Sequence, residues 1–451
     1  MKIIPFVHEG LGNSSYLVGL DGGDAVLVDP DRSVQRYIVQ AEQLGWRISA
    51  VLETHLHADF VSGARELAAR EAALYIPEGA QVRFSHQPVA PGQKLQLGGA
   101  QIEIIASPGH TPEHLSYVLR SDRQPPLLFS GGALIVGGAA RTDLISPEMT
   151  EPLTRSLFQT LQNAFAPLPD ETALYPTHGG GSFCSTGSSS RRVSTLGEER
   201  ASNPLLAVRD EEEFLRWFPS TFPAVPAYFF RMRAVNQQGP RLRRDIPDPP
   251  ALPPADFAAA SKQALVVDAR PMQEYLAAHI PGAFANPLRD AYATWLGWLV
   301  PEDIPLLFVT GGVSLRGVID ESLLVGYERF AGWLEGGIQA WQRAGLELAS
   351  TSTLDAAAAR KAVLDGVAIV DVREPNEFAA GHLEGAVHLP LGKLEQELDR
   401  VPRDRPVLAY CGHGERSTSA ISLLERAGIG PLLMLKGGVG AWTKAGYPLS
   451  R

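Results

Sequence analysis

Residues 53–63 read ETHLHADFVSG. His55, His57 and Asp59 alternate along this stretch, and in extended backbone alternate side chains share a face. It follows "RISAVL", an apolar β-branched run that predicts a strand leading into a loop. Helical patterning is expected from Ser62 onward. Two further histidines stand in similar settings. His110 follows an apolar run and a Pro-Gly turn in "IEIIASPGHT", and His178 follows another apolar run in "ALYPTHGGGS". Imidazole and carboxylate are metal-ligand groups, so His55, His57, Asp59, His110 and His178 are candidate ligands.

Length and composition bound the rest. A chain of 451 residues is long for one core and implies several domains. Its net charge of -10 argues against nucleic acid or an anionic membrane as partner, since both favour a basic surface. No stretch has the ~18 uncharged apolar residues of a membrane span. The start, "MKIIPFVHEGLG", carries no long apolar run, so no signal peptide is expected. The only two cysteines, Cys184 and Cys411, suggest reactive thiols in a reducing cytoplasm rather than a disulfide framework.

The C-terminal half repeats itself. "ALVVDARPMQEYLAAHIPGAFANPL" (264–288) aligns with "AIVDVREPNEFAAGHLEGAVHLPL" (368–391), and "GWLEGGIQAWQRAGLEL" (332–348) with "MLKGGVGAWTKAGYPL" (434–449). A period of roughly a hundred residues means tandem domains. Each copy opens on a β-branched apolar run, the mark of a buried parallel strand, so each is expected to be a small α/β domain. Ahead of them the prolines of 237–256 predict a stiff linker. The boundaries expected are thus 1–236, the linker 237–256, and repeats over 257–350 and 354–451.

The ordered set "THLHAD", "SPGHT" and "PTHG" resembles the metallo-β-lactamase fold. That likeness implies two packed sheets flanked by helices, αββα, with ligands on loops at one end. "SPGHTPEH" and "GGAARTD" look like its persulfide dioxygenase branch, whose members oxidise glutathione persulfide at a mononuclear iron and are also found fused to rhodanese domains. Two departures stand out. Phe60 occupies a place where the family has a histidine, and Gly132, in "LLFSGGALIVGG", occupies the place of a metal-binding aspartate. The second metal position then keeps only Asp59 and His178, whereas His55, His57 and His110 complete the first. The expectation is one divalent metal, zinc or iron, at one equivalent per chain or less. Restoring a carboxylate through Gly132→Asp is expected to raise iron affinity. Arg191, Arg192, Arg231 and Arg233 are candidate anchors for an anionic thiol, with a solvated face as the alternative.

"VLAYCGHGERSTSA" (407–420) predicts a buried strand ending at Cys411, a tight loop, and a helix starting near Ser417. Loop amides and a helix N-terminus stabilise an anion, which makes a thiol there nucleophilic. The arrangement resembles the rhodanese domain, whose cysteine carries sulfane sulfur as a persulfide. The resemblance implies Cys411 as nucleophile, Gly412, His413, Gly414 and Glu415 as the substrate cradle, and Arg416 as an added positive charge. In the first repeat Thr310 stands at the nucleophile position, so that copy is expected to be non-catalytic.

The implied partners are thiosulfate and a low-molecular-weight thiol or persulfide such as glutathione, with a homo-oligomer left open. The expected function is sulfane-sulfur transfer through Cys411, coupled to a metal domain that processes or binds a persulfide. A zinc thioesterase with an appended sulfur carrier, or a scaffold with a sulfur-sensing cysteine, are the alternatives.

Overall fold

In the computed structural model, which describes residues 1–121, 124–187 and 189–451, the chain forms two compact units. One comprises Met1–Ile246 with Asp320–Glu328, the other Pro247–Ile319 with Arg329–Arg451.

The first unit is built on two six-stranded sheets. Alternation along the strands assembles the layers. Tyr16, Val18, Val26 and Val28 meet Tyr117, Leu119 and Phe129 between the sheets. Their neighbours Leu17, Ala25 and Leu27 turn the other way, onto Tyr37 and Ala41 of helix Gln35–Gln43. On the opposite side Val118 and Leu128 pack on Leu157 and Phe158 of helix Pro147–Gln159. This is the αββα sandwich, with each buried apolar side chain worth about 1.5–3 kcal/mol relative to exposure. The Ser/Gly-rich stretch 185–192 includes a bridge between Ser185 and Ala140, while Ser188 lies outside the described residues.

The second unit holds two all-parallel five-stranded sheets of the same order. Ala251–Leu252, Phe330–Leu334, Leu306–Val309, Leu265–Asp268 and Phe284–Ala285 make the first. Ser352–Leu354, Leu432–Leu435, Val407–Tyr410, Ala368–Asp371 and Val387–His388 make the second. The repeats pack on each other. Ala409, Ile421 and Met434 of the second share a core with Tyr275, Ile280 and Ala283 of the first.

Two boundaries differ from the sequence reading. The stretch 237–256 is divided rather than a free linker. Arg65 donates to Gly239 O (3.2 Å) and Arg32 to Arg241 O (2.5 Å), so its first part packs in the first unit. Ala251–Leu252 pairs in parallel with Trp333 and Leu334 as an edge strand. Flanking prolines allow this because an edge strand bonds on one side only. Asp320–Glu328, expected within the first repeat, packs in the first unit. There Val61 N donates to Leu324 O (2.7 Å) and Arg32 pairs with Glu328 (2.7 Å). Among the described residues no helix is long and apolar enough to cross a membrane.

Candidate active sites

The ligand-type residues of the first unit follow strand ends. Asp29 comes directly after Asp24–Val28, His55 shortly after Arg47–Leu52, His110 after Ala100–Ala106 and His178 after Ala173–Pro176. Residues 53–62 are loop, so it is the folding of the loop, not strand alternation, that brings His55, His57 and Asp59 together. All five sequence candidates are at most 1 % exposed, which makes partners for their polar atoms obligatory.

Hydrogen bonds decide which ring nitrogens are bare. Thr54 Oγ1 donates to Asp29 Oδ2 (2.7 Å), so it accepts from His55 Nδ1 (2.8 Å), leaving His55 Nε2 without a proton. His110 Nδ1 donates to the Arg141 carbonyl (2.6 Å), and its Nε2 is buried without a partner. His178 Nδ1 faces Asn13 Oδ1 and Asp59 Oδ2, both at 3.2 Å, so it carries the proton there. His178 Nε2 lies 3.2 Å from His55 Nε2. Two lone pairs at that distance repel, so a shared proton or a cation must lie between them. Burial, then the charge on His57, holds His55 well below the usual imidazole range, and burial lowers His110 to about 3. The ligand atoms of His55, His110 and His178 all lie within 4.8 Å of one another.

This grouping differs from the expected division into a His55–His57–His110 position and an Asp59–His178 remnant. His178 joins both sets, because it also groups with His57 and Asp59. His57 is engaged elsewhere: its Nε2 lies 3.0 Å from Glu53 Oε2 and 3.4 Å from Asp29 Oδ1. Burial opposes charge on His57, but Asp29 and Glu53 outweigh it and raise it to about 10. Its Nδ1 has no partner. Asp59 Oδ2 lies 3.2 Å from His178 Nδ1; burial would raise the carboxyl, but His178 and His57 lower it to about 2. Orphaned, buried nitrogen atoms and a carboxylate around one point fit a bound metal ion.

Phe60 stacks its ring on His57 (centroids 4.2 Å apart) and offers no ligand atom. Gly132 holds more than a missing carboxylate. A Cβ there would stand 2.8 Å from His110 Cδ2 and 2.8 Å from Ala140 Cβ, so the expected gain from Gly132→Asp meets a steric barrier. Gly132 N donates to His114 Nε2 (3.0 Å), while His114 Nδ1 bonds Ser107 Oγ (2.8 Å). His114 thus braces the glycine loop beside His55. Asp29 and Glu53 escaped the sequence reading of the site. The signal for Asp29 was its place at a strand end in "VLVDP", where it adopts φ 47° and bonds Thr54 and Thr177.

The four arginines expected to anchor an anionic thiol are all engaged within the protein. Arg233 is bidentate to buried Glu113 (2.8 and 3.0 Å), Arg192 pairs with Glu9 (2.7 Å) and Arg191 with Glu198 (2.6 Å). Arg231 donates to Val325 O (3.0 Å). Cys184 is buried, and its thiol is pushed well above the usual range by burial and the Asp59 carboxylate.

In the second unit, Cys411 follows the central strand Val407–Tyr410, flanked by Ala368–Asp371 and Leu432–Leu435. The helix after it runs Glu415–Arg426, two residues earlier than expected, with Gly414 at φ 132° before it. Cys411 Sγ accepts from Gly414 N (3.1 Å) and from the Ser417 hydroxyl (3.2 Å). Ser417 was missed in the sequence because its hydroxyl lies one helical turn beyond the loop. His413 is exposed, so its side chain does not line the sulfur. The loop is propped from the C-terminal motif. Val439 N donates to Cys411 O (2.8 Å), and a Cβ at Gly438 would meet Gly412 O at 2.5 Å. Arg416, expected as a bare positive charge, is bidentate to Glu377 (2.6 and 2.7 Å).

Residues 8–178 match the family model of the metallo-beta-lactamase superfamily. The mitochondrial persulfide dioxygenase ETHE1 of Bos taurus is 30% identical over 204 residues, 44% of this chain and 73% of that protein. The chain belongs to the metallo-beta-lactamase superfamily. Residues 254–344 and 352–445 each match the rhodanese-like domain, so this superfamily member carries two such domains after its sandwich. A sulfurtransferase of Allochromatium vinosum is 38% identical over 90 residues, 20% of this chain and 84% of that protein. The crystal structure of a metallo-beta-lactamase from Staphylococcus aureus subsp. aureus COL matches with a TM-score of 0.65 at 28% identity, covering 74% of this chain and 98% of that one.

Proposed function

We propose that the protein is a sulfane-sulfur transferase whose carrier is Cys411, joined to a metal-binding domain that takes a small persulfide. The observation that carries this reading is the pair of donors aimed at Cys411 Sγ, Gly414 N and Ser417 Oγ, at the N-terminus of a twelve-residue helix. Amide, hydroxyl and helix dipole stabilise sulfur as an anion, so the thiolate is poised without a neighbouring base. The Cys411 thiolate attacks the outer sulfur of a donor such as thiosulfate. The donor's S–S bond breaks, sulfite leaves with the bonding pair, and a Cys411 persulfide forms. An acceptor thiolate then attacks the outer sulfur and Cys411 departs as thiolate. The likeness to a sulfurtransferase over 90 residues supports the same chemistry.

In the first unit His55, His110 and His178 would hold a single divalent ion, zinc or iron, with Asp59 fixing His178. Such an ion supplies a Lewis-acid centre for a sulfur or oxygen anion. The chain's own residues orient it: Thr54 and the Arg141 carbonyl fix the tautomers of His55 and His110. The likeness to a persulfide dioxygenase supports a persulfide as its ligand. With no carboxylate at Gly132, little persulfide-dependent O₂ uptake is expected.

The test is to treat the full chain with thiosulfate and weigh it. Wild type should gain the mass of one cyanide-removable sulfur atom, Cys184→Ser should gain it too, and Cys411→Ser should not. Equal loading of Cys411→Ser and wild type would sink the reading.

A further inference from the structure

An anionic donor approaching a thiolate meets like charge, so a cation must receive it. Two arginines of the second repeat that stand beside this loop and strand, Arg416 and Arg373, are already paired. Arg416 is bidentate to Glu377, and Arg373 is spent on Asp371 and the Gly381 carbonyl. The first repeat reaches the same place. Ala285 N at the end of strand Phe284–Ala285 donates to Ser422 Oγ (3.1 Å) on helix Glu415–Arg426, so this strand end of the first repeat meets the helix that follows Cys411. Met272 of the first repeat covers the cradle, with Sδ 3.1 Å from the place of a Cβ on Gly414. Four residues after Ala285 stands Arg289, half-buried, and the charged groups acting on it are Glu415, Cys411, Arg416 and Asp290. Among the described residues its guanidinium makes no hydrogen bond or ion pair.

We propose that Arg289, from the repeat that lacks a cysteine, binds the oxyanion end of the sulfur donor at Cys411. The site would then be built from both repeats: nucleophile, amide and hydroxyl from the second, the receiving cation from the first. A guanidinium fork suits the oxygens of a sulfonate-type donor such as thiosulfate, and partial burial strengthens the pairing. The first repeat is kept, on this account, because it supplies that charge. The inference rests on Cys411 being the sulfur carrier.

The experiment separates the two half-reactions in the full-length protein. Loading is followed as sulfite release from thiosulfate, and discharge as thiocyanate formation from preloaded protein and cyanide. Arg289→Ala and Arg289→Gln should raise the thiosulfate KM roughly ten- to hundredfold, the range of a charged hydrogen bond. Discharge should stay within about twofold, because the donor's oxygens have already left. Arg289→Lys should recover part of the KM, and the salt dependence of loading should flatten in Arg289→Gln. An unchanged thiosulfate KM overturns the inference. So does an equal fall in both half-reactions, which would mark a structural role. Sulfur transfer surviving in Cys411→Ser would instead overturn the carrier reading itself.

Discussion

The two repeats differ at their loops and hardly at all in their frames. Arg270 grips Asp268 through Nε (2.9 Å) and Nη2 (2.6 Å) and donates to Ala278 O (2.8 Å). Arg373 grips Asp371 at 2.9 and 2.6 Å and donates to Gly381 O (2.8 Å). Sheet order is the same. The divergence begins one residue past the central strand. In the second repeat the loop after Cys411 rests on Gly438, closed by the bond from Val439 N. In the first, an open groove lies between Thr310–Gly312 and Gly336–Gly337. A buried Asp–Arg pair between strand and helix holds the fold whether or not there is chemistry, since breaking it would strand a charge. The loop after the central strand, where the proposed sulfur transfer takes place, is where the two repeats part.

The largest effect should come from moving the nucleophile. Thr310→Cys in a Cys411→Ser background should stay about a thousandfold or more below wild type in thiosulfate:cyanide transfer. Val313 N is committed to Thr310 O there, so the new thiol would lack the donor that Gly414 gives Cys411. Activity near wild type would mean the loop is not the difference between the repeats.

The first unit offers a parallel contrast between intact and lost positions. His178→Ala should remove metal as fully as His55→Ala or His110→Ala, and His57→Ala less so, by elemental analysis of protein purified without added metal. Gly132→Asp should lower metal content, because its Cβ meets the His110 ring before its carboxylate can reach a metal. A rise in bound iron would show that the loop yields.

A subtler comparison uses the matched glycines Gly337 (φ 60°) and Gly438 (φ 59°). Alanine at either carries the left-handed penalty of roughly 1–2 kcal/mol. At Gly337 the nearest atom to the added Cβ is Gln339 Oε1 at 3.5 Å, so that is the whole cost. At Gly438 the Cβ meets the Cys411 and Gly412 carbonyls, adding about 1–3 kcal/mol of overpacking and displacing Cys411. Denaturant melts should separate the two variants, and only Gly438→Ala should lose sulfur transfer.

The smallest effect concerns Asp320–Glu328. Burial lowers the pKa of His8, but its bond to Glu321 more than offsets this and leaves it raised. A group raised on folding stabilises below its unfolded value of about 6.5 and loses that contribution as pH rises through the folded value. Wild type should therefore lose a few tenths of a kcal/mol relative to Glu321→Gln on going from pH 6 to pH 9. Parallel stability profiles would remove His8 as the titrating group.

Sequence by itself determined the architecture: the resemblance carried by the histidine motifs implied the αββα sandwich, β-branched runs marked the parallel strands, and the repeat located both rhodanese-like domains. It also picked out Cys411, and all five metal-ligand candidates lie buried around one region. These are local signals, carried by period and spacing. Tertiary structure alone decided how those groups are used. That His178 joins His55 and His110 while His57 turns to Asp29 and Glu53 depends on loops from four strand ends folding against each other. That Arg416 is neutralised by Glu377, and that Arg289 arrives from the other repeat, depends on partners 39 residues away in one case and on the packing of two domains in the other. Charge pairing is a property of distance in space, and nothing in the linear order of residues carries it.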